Sequence, residues 1–336
     1  VRDSLRLRPL PPDPSRQVLV PIGGENTLLA RLDIPRLSCG PPRALVIVVP
    51  GLGGCAEGAG PRRLALALQG AGFATFRLNL RGAGEGRSLA GGSYAARCDH
   101  DLLSALQRAR EVADGLADGR VARLPGARCG PVPLAAVGIS LGGTILLNAL
   151  RATGGEPLAA LACISSPLDL PACTRQFERP RNAFYQRWLV RRLRSQILAD
   201  RRGLGEAERQ ALLAASRPRT IRTFDAAITA PRWGYRSVEA YYADASPWES
   251  LRRRAAGQAP GPPTLLLHAA DDPWVPVDPA LELVERLRLG VAAGLEVLVT
   301  DRGGHCGFHG AGDSTLACWS DRLIVAWLGE RLAEPA

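Results

Sequence analysis

Short apolar runs alternate with longer amphipathic stretches along most of the chain. ALVIVV (44–49), PLAAVG (133–138), LAALACIS (158–165) and TLLLHAA (264–270) are unbroken apolar runs of strand length. That pattern predicts strands buried on both faces. FATFRLNL (73–80) and LEVLVT (295–300) are further strands, and QVLVPI (17–22) and TLLARLDI (27–34) flank GGEN as a hairpin. Between them, RRLALALQGAG (62–72), LGGTILLNALR (141–151), PALELVERLRL (279–289) and STLACWSDRLIVAWLGERL (314–332) read as helices. So does DHDLLSALQRAREVADGL (99–116), with Asp99 in the N-cap position. Strand–helix alternation predicts parallel βαβ units and an open sheet covered by helices on both faces.

The alternation breaks between about residues 167 and 258, where the chain is Arg-rich, helical in character and without a clear strand. The expected organisation is a core of residues 1–166 and 259–336, with 167–258 inserted as a helical cap. RLPGARCGPVP (123–133) and AAGQAPGPP (255–263) are loops by composition.

Composition narrows the function classes. The 336 residues carry 42 basic and 32 acidic side chains, a net charge of +10, and every basic residue is arginine. Together with abundant Ala, Gly and Pro, this points to codon bias and weakens any inference toward nucleic acid, for which no binding module is present. Eight cysteines are scattered without a CxxC pair, the usage of reduced thiols and not of a disulfide framework. No apolar run is long enough to cross a bilayer. The N-terminal VRDSLRLRPLPPDP has no signal-peptide core, and a cytoplasmic protein is expected.

Candidate chemistry centres on AAVGISLGGTILL (135–147), where Ser140 sits between a strand run and a helix run. A sharp turn there lifts the hydroxyl clear of the backbone. Gly138 and Gly142, two residues before and after it, allow strand and helix to approach closely. The Leu141 N–H, at the helix start, faces any oxyanion forming nearby. Such a serine needs a base, and the base needs an orienting carboxylate, in chain order Ser, Asp or Glu, His. Of the four histidines, His305 lies in a Gly-rich loop just after a strand and is the expected base. His100 reads as a surface residue, His268 as a core residue within a strand, and His309 as a lid or surface residue. Asp271 and Asp272 both follow the TLLLHAA strand, and the D-P-x-V-P continuation favours Asp272. PGLGG (50–54) follows the ALVIVV strand and supplies the Leu52 N–H as second oxyanion donor. Asn79, Arg81 and Asp225 are candidates for bracing the site.

The serine turn, PGLGG, NLRGAGEGR (79–87), FDAAITAPRWGYRSVEAYYADASP (224–247), HAADDPWVP (268–276) and GGHCGF (303–308) together resemble the YheT-like branch of the α/β-hydrolases. That branch includes plant embryogenesis-associated proteins and animal ABHD esterases and phospholipases. The resemblance spans residues 15 to 330 or so. It implies the α/β-hydrolase fold: a mostly parallel eight-stranded sheet flanked by helices, with an inserted helical cap. It also implies cofactor-independent hydrolysis of acyl or lipid-like carboxylic esters by Ser140, His305 and Asp272. The chain departs from many relatives in carrying Pro50, not His, before the oxyanion-loop glycine, and in having His309.

Other readings compete. GLGGCA (51–56) matches a dinucleotide-binding fingerprint, with Arg77 or Arg81 as a phosphate contact, but Pro50 intervenes and the ribose-binding acid is missing. His305, Cys306 and His309 have metal-ligand residue types but lie in a Gly-rich loop, so no metal is expected. A non-catalytic binding module has no need of all three triad residues, whereas an amidase or thioesterase uses the same set. In FYQRWLVRRLRSQILADRR (184–202), Phe184, Trp188, Leu193 and Ile197 approximate one helical face, which either packs inward or touches a lipid surface.

Overall fold

The computed structural model describes residues 10–35, 41–118, 131–153, 158–213, 219–290 and 294–333. Cys39, Cys129, the first nine residues and most of the 123–133 loop lie outside the described residues.

The chain opens with a hairpin, β1 (Arg16–Pro21) and β2 (Thr27–Asp33). It continues through β3 (Leu45–Val49), α1 (Ala59–Gly70), β4 (Ala74–Asn79), α2 (Asp99–Ala117), β5 (Leu134–Ile139), α3 (Leu141–Thr153) and β6 (Ala160–Ile164). Helices follow: α4 (Leu170–Phe177), α5 (Ala183–Leu198), α6 (Glu206–Leu213), α7 (Ile221–Phe224), α8 (Ala230–Arg232), α9 (Val238–Ala245) and α10 (Trp248–Ala255). A π-helical turn, Asp225–Thr229, joins α7 to α8. The chain then returns through β7 (Thr264–Ala269), α11 (Asp278–Arg288), β8 (Leu295–Thr300) and α12 (Trp319–Arg331).

The eight strands form one sheet in the order β1-β2-β4-β3-β5-β6-β7-β8. β2 runs antiparallel to both neighbours, and the pairs from β4 to β8 are parallel. Alternating side chains explain the two-layer core. Leu45, Ile47 and Val49 join the cluster that contains Leu102 and Leu106 of α2 and Ile145 and Leu146 of α3. Val46 and Val48 join Leu64 and Leu68 of α1 and Ile324 and Leu328 of α12. Each fully buried leucine contributes about 2 kcal/mol by leaving water.

This topology positions a site. After β3 the chain steps outward to β4, then returns to the other side of β3 as β5, pairing Val49 with Gly138. The carboxyl ends of β3 and β5 therefore flank a crevice where the strand order reverses, the usual ligand position in open α/β sheets. Three helix starts differ from the expectation. α1 begins at Ala59, three residues ahead of the expected Arg62, and ends at Gly70. α2 begins at Asp99 itself, after Cys98, because the Asp99 carboxylate is drawn to Arg97 at 2.8 Å and caps nothing. α12 begins at Trp319, where Asp321 reaches back to the Cys318 N–H at 2.8 Å; residues 314–317 close a separate turn, Ser314 N–H to Ala317 O.

Candidate active site

Ser140 occupies the single turn between β5 and α3 with φ of +53°, a left-handed conformation that side chains other than glycine rarely adopt. Its N–H donates to Ile164 O at 2.8 Å, which ties the turn to β6. Close approach dictates the neighbours. A Cβ on Gly142 would sit 2.2 Å from Val49 O, and one on Gly138 would sit 2.2 Å from Gly143 Cα. Both contacts are to backbone, which has no side chain to move aside. Gly142→Ala is therefore expected to cost about 3 kcal/mol, lowering Tm by about 6 °C or more in thermal unfolding. An unchanged Tm would show that strand and helix are not in contact there.

His305 Nε2 lies 2.8 Å from Ser140 Oγ, and His305 Nδ1 lies 2.9 Å from Asp272 Oδ2. Asp272 is buried, and its Oδ1 accepts the N–H groups of Trp274 at 2.8 Å and Val275 at 3.0 Å. The two adjacent acids thus take different tasks. Asp271 Oδ1 accepts the N–H groups of Gly303 and Gly304 at 2.8 and 2.7 Å, holding the loop that carries His305. Burial opposes charge on His305, but neighbouring Cys306 and Asp272 outweigh it and raise its pKa above the ordinary imidazole value. Burial also opposes charge on Asp272, and His305 with the two backbone donors lowers its pKa nonetheless.

The serine opens onto a cavity of about 280 Å³, close to the lower end of ligand-pocket volumes. Leu52 and Leu141 both line it, and neither N–H is used by a main-chain hydrogen bond of the described turns and loops. The PGLGG loop is held from three sides. Gly53 N–H donates to Tyr94 Oη at 2.6 Å, Gly54 N–H donates to Gly51 O at 2.9 Å, and Arg192 Nε donates to Gly53 O at 2.6 Å. Apolar walls come from Leu170 of α4 and from Leu189, Leu193 and Ile197 of α5. Asp225 also faces the cavity, accepting from Thr229 at 2.7 Å and Tyr242 at 2.8 Å; burial pushes its pKa up to about 6 against those two donors.

Other candidates lie elsewhere. His100 is exposed and His268 is buried within β7, where burial drives its pKa down to about 4. His309 Nδ1 lies 2.9 Å from Asp313 Oδ2. Arg77 is buried, bonded to Asp33, Asp13 and Ala56 O, so its guanidinium is committed within the fold and not to a nucleotide phosphate. Arg81 pairs with Asp101, and Asn79 Oδ1 accepts the Ala56 N–H at 2.7 Å behind the PGLGG loop. Two further residues shape the site without a local sequence signal for doing so. Tyr94 anchors Gly53 from 41 positions away, and the Trp274 ring packs on His305 with centroids 4.5 Å apart. Trp274 lay within the HAADDPWVP segment, but aromatic character there carries no directional signal.

A mostly parallel eight-stranded sheet with a serine turn after its central β5 defines the α/β-hydrolase class. A family model described as alpha/beta hydrolase fold matches residues 44–311, and the chain belongs to that family. Within it, the chain is 33% identical over 202 residues to YheT of Escherichia coli (strain K12), covering 59% of this chain and 56% of that protein. It is 33% identical over 178 residues to phospholipase ABHD3 of Mus musculus, covering 52% of this chain and 40% of that one. The chain thus spans about half the length of these curated relatives. Among solved structures, Est1E from Butyrivibrio proteoclasticus shares the fold, with a TM-score of 0.54, 15% identity and coverage of 95% of this chain and 99% of that one.

Proposed function

We propose that the protein is a serine hydrolase of carboxylic esters of the acyl or lipid-like kind. The observation that carries this reading is the hydrogen-bonded series Asp272–His305–Ser140, opening on a largely apolar cavity. His305 takes the Ser140 proton as Oγ attacks the ester carbonyl. The Leu52 and Leu141 N–H groups hold the oxyanion. His305 then protonates the leaving alcohol and activates water to release the acid, while Asp272 fixes the imidazole tautomer and stabilises its cation. The chemistry uses no cofactor. Relatives named as esterase and phospholipase support the substrate class.

In this reading residues 167–258 form the cap that shapes acyl access. Supporting it, Leu189, Leu193, Ile221 and Phe224 of the inserted helices build a small core of their own, and all four also line the cavity. The cytoplasmic setting proposed with this reading rests on the scattered cysteine pattern, which has no CxxC pair. Among the described residues no helix is long and apolar enough to cross a membrane.

The test is hydrolysis of p-nitrophenyl esters from acetate to palmitate by the wild type and Ser140→Ala; a variant that keeps a tenth or more of the wild-type turnover overturns the reading. Tyr94→Phe gives a finer check. Loss of the hydroxyl leaves the Gly53 N–H without its buried acceptor, worth about 1–3 kcal/mol, and loosens the oxyanion loop. The expected result is kcat/KM about tenfold lower, mostly in kcat. Kinetics within twofold of the wild type would remove Tyr94 from the account.

A further inference from the structure

Helix α5 carries different chemistry on its two faces. Leu189, Leu193 and Ile197 turn inward and line the cavity. The expected face of Phe184, Trp188, Leu193 and Ile197 is therefore split: the last two are buried, whereas Phe184 is 86% exposed and Trp188 47% exposed. Positions 184, 187, 188, 191, 195 and 198 recur at helical spacing, all exposed, and form one outward stripe of Phe, Arg, Trp, Arg, Ser and Leu. Residues 170–199 hold seven arginines against the single acid Glu178.

We propose that this outward face of α5 docks the protein on an anionic lipid surface. Phe184 and Trp188 sit at the boundary of headgroups and acyl chains, and Arg187 and Arg191 meet the lipid phosphates. Charge complementarity selects this occupant: an acid-free helix presenting arginines beside large apolar groups matches a negatively charged surface with an apolar interior. A neutral apolar partner would leave those arginines without counter-charges. The position also suits the proposed hydrolase, on which the placement of a lipid substrate rests. The inner face of the same helix walls the cavity. Ring contacts run from Trp188 to Tyr185 (5.4 Å), to Trp274 (3.7 Å) and to His305 (4.5 Å), so the docking face lies three ring contacts from His305.

The experiment is sedimentation of the full chain with vesicles of phosphatidylcholine alone or containing one-third phosphatidylglycerol. Binding is expected with the anionic vesicles only, falling as salt rises. Arg187→Gln with Arg191→Gln is expected to weaken it by about fivefold per arginine removed, and Phe184→Ser weakens it further. None of these side chains lines the cavity, so turnover of a soluble short-chain ester is expected to stay at the wild-type rate. Absence of vesicle binding, equal binding to neutral vesicles, or undiminished binding by the arginine variant would each overturn the proposal. Ser140→Ala is expected to bind vesicles as the wild type does. Failure of the hydrolase reading is thus seen in turnover and failure of docking in sedimentation.

Discussion

Replacing Ser140 with alanine is expected to lower ester turnover on the order of a millionfold and to abolish labelling by a fluorophosphonate. The size follows from how the groups are coupled. Ser140 Oγ stands 2.8 Å from His305 Nε2, so in the proposed mechanism nucleophile and base act as one unit. Without Oγ no acyl-enzyme forms, and His305 is left with only water to activate. Oxyanion donors and substrate binding remain, so a residual rate about a thousandfold above water is expected to persist. The fold should tolerate the change: alanine is smaller, and the backbone bond from residue 140 to Ile164 O at 2.8 Å does not involve the side chain. Steady-state kinetics with a thermal-unfolding control measure this. A variant that keeps a tenth of the wild-type rate, with wild-type Tm, would assign the chemistry to another nucleophile.

Asp272→Asn is expected to lower kcat about ten-thousandfold, and to move the acidic limb of the pH–rate profile toward lower pH. In the proposed mechanism His305 works as a base only as neutral imidazole, so the rate is expected to rise with pH as it loses its proton. Cys306 and the Asp272 carboxylate hold the His305 pKa above its ordinary value despite burial. Removing the carboxylate's charge lowers that pKa, and neutral imidazole then persists to lower pH. The rate still collapses, because the asparagine amide favours the wrong tautomer and leaves the transient imidazolium unpaired. Asp271→Asn is the contrast. Its carboxylate braces the Gly303 and Gly304 N–H groups and does not touch the imidazole, so a loss of about tenfold with an unmoved pH limb is expected. If the Asp271 variant were the one to shift the limb, the roles of the two acids would be exchanged.

Much of the fold was legible because its signals are local. β3, β5, β6 and β7 are unbroken apolar runs that make sense only between two helical layers. The strand–Gly-x-Ser-x-Gly–helix order singled out Ser140 as the candidate nucleophile, and chain order together with position after a strand narrowed its candidate partners to His305 and two aspartates. Helix starts at Asp99 and Trp319 were less legible, because a capping side chain has several possible partners and the sequence does not say which it takes. Asp99 goes to Arg97, and Asp321 reaches back to Cys318.

By itself, then, the sequence determined the alternation of elements, the layered sheet and the residue types available for nucleophile, base and acid, since periodicity and close-packed glycines act over a few neighbouring residues. Tertiary structure decided everything that depends on direction. It turned Asp272 toward His305 and Asp271 toward the loop glycines, brought Tyr94 against Gly53, and rotated α5 so that Leu193 faces the cavity while Phe184 faces solvent. Those outcomes rest on contacts between segments far apart in the chain. A helix with apolar residues on both faces, or two adjacent acids after one strand, has no local preference strong enough to choose between them.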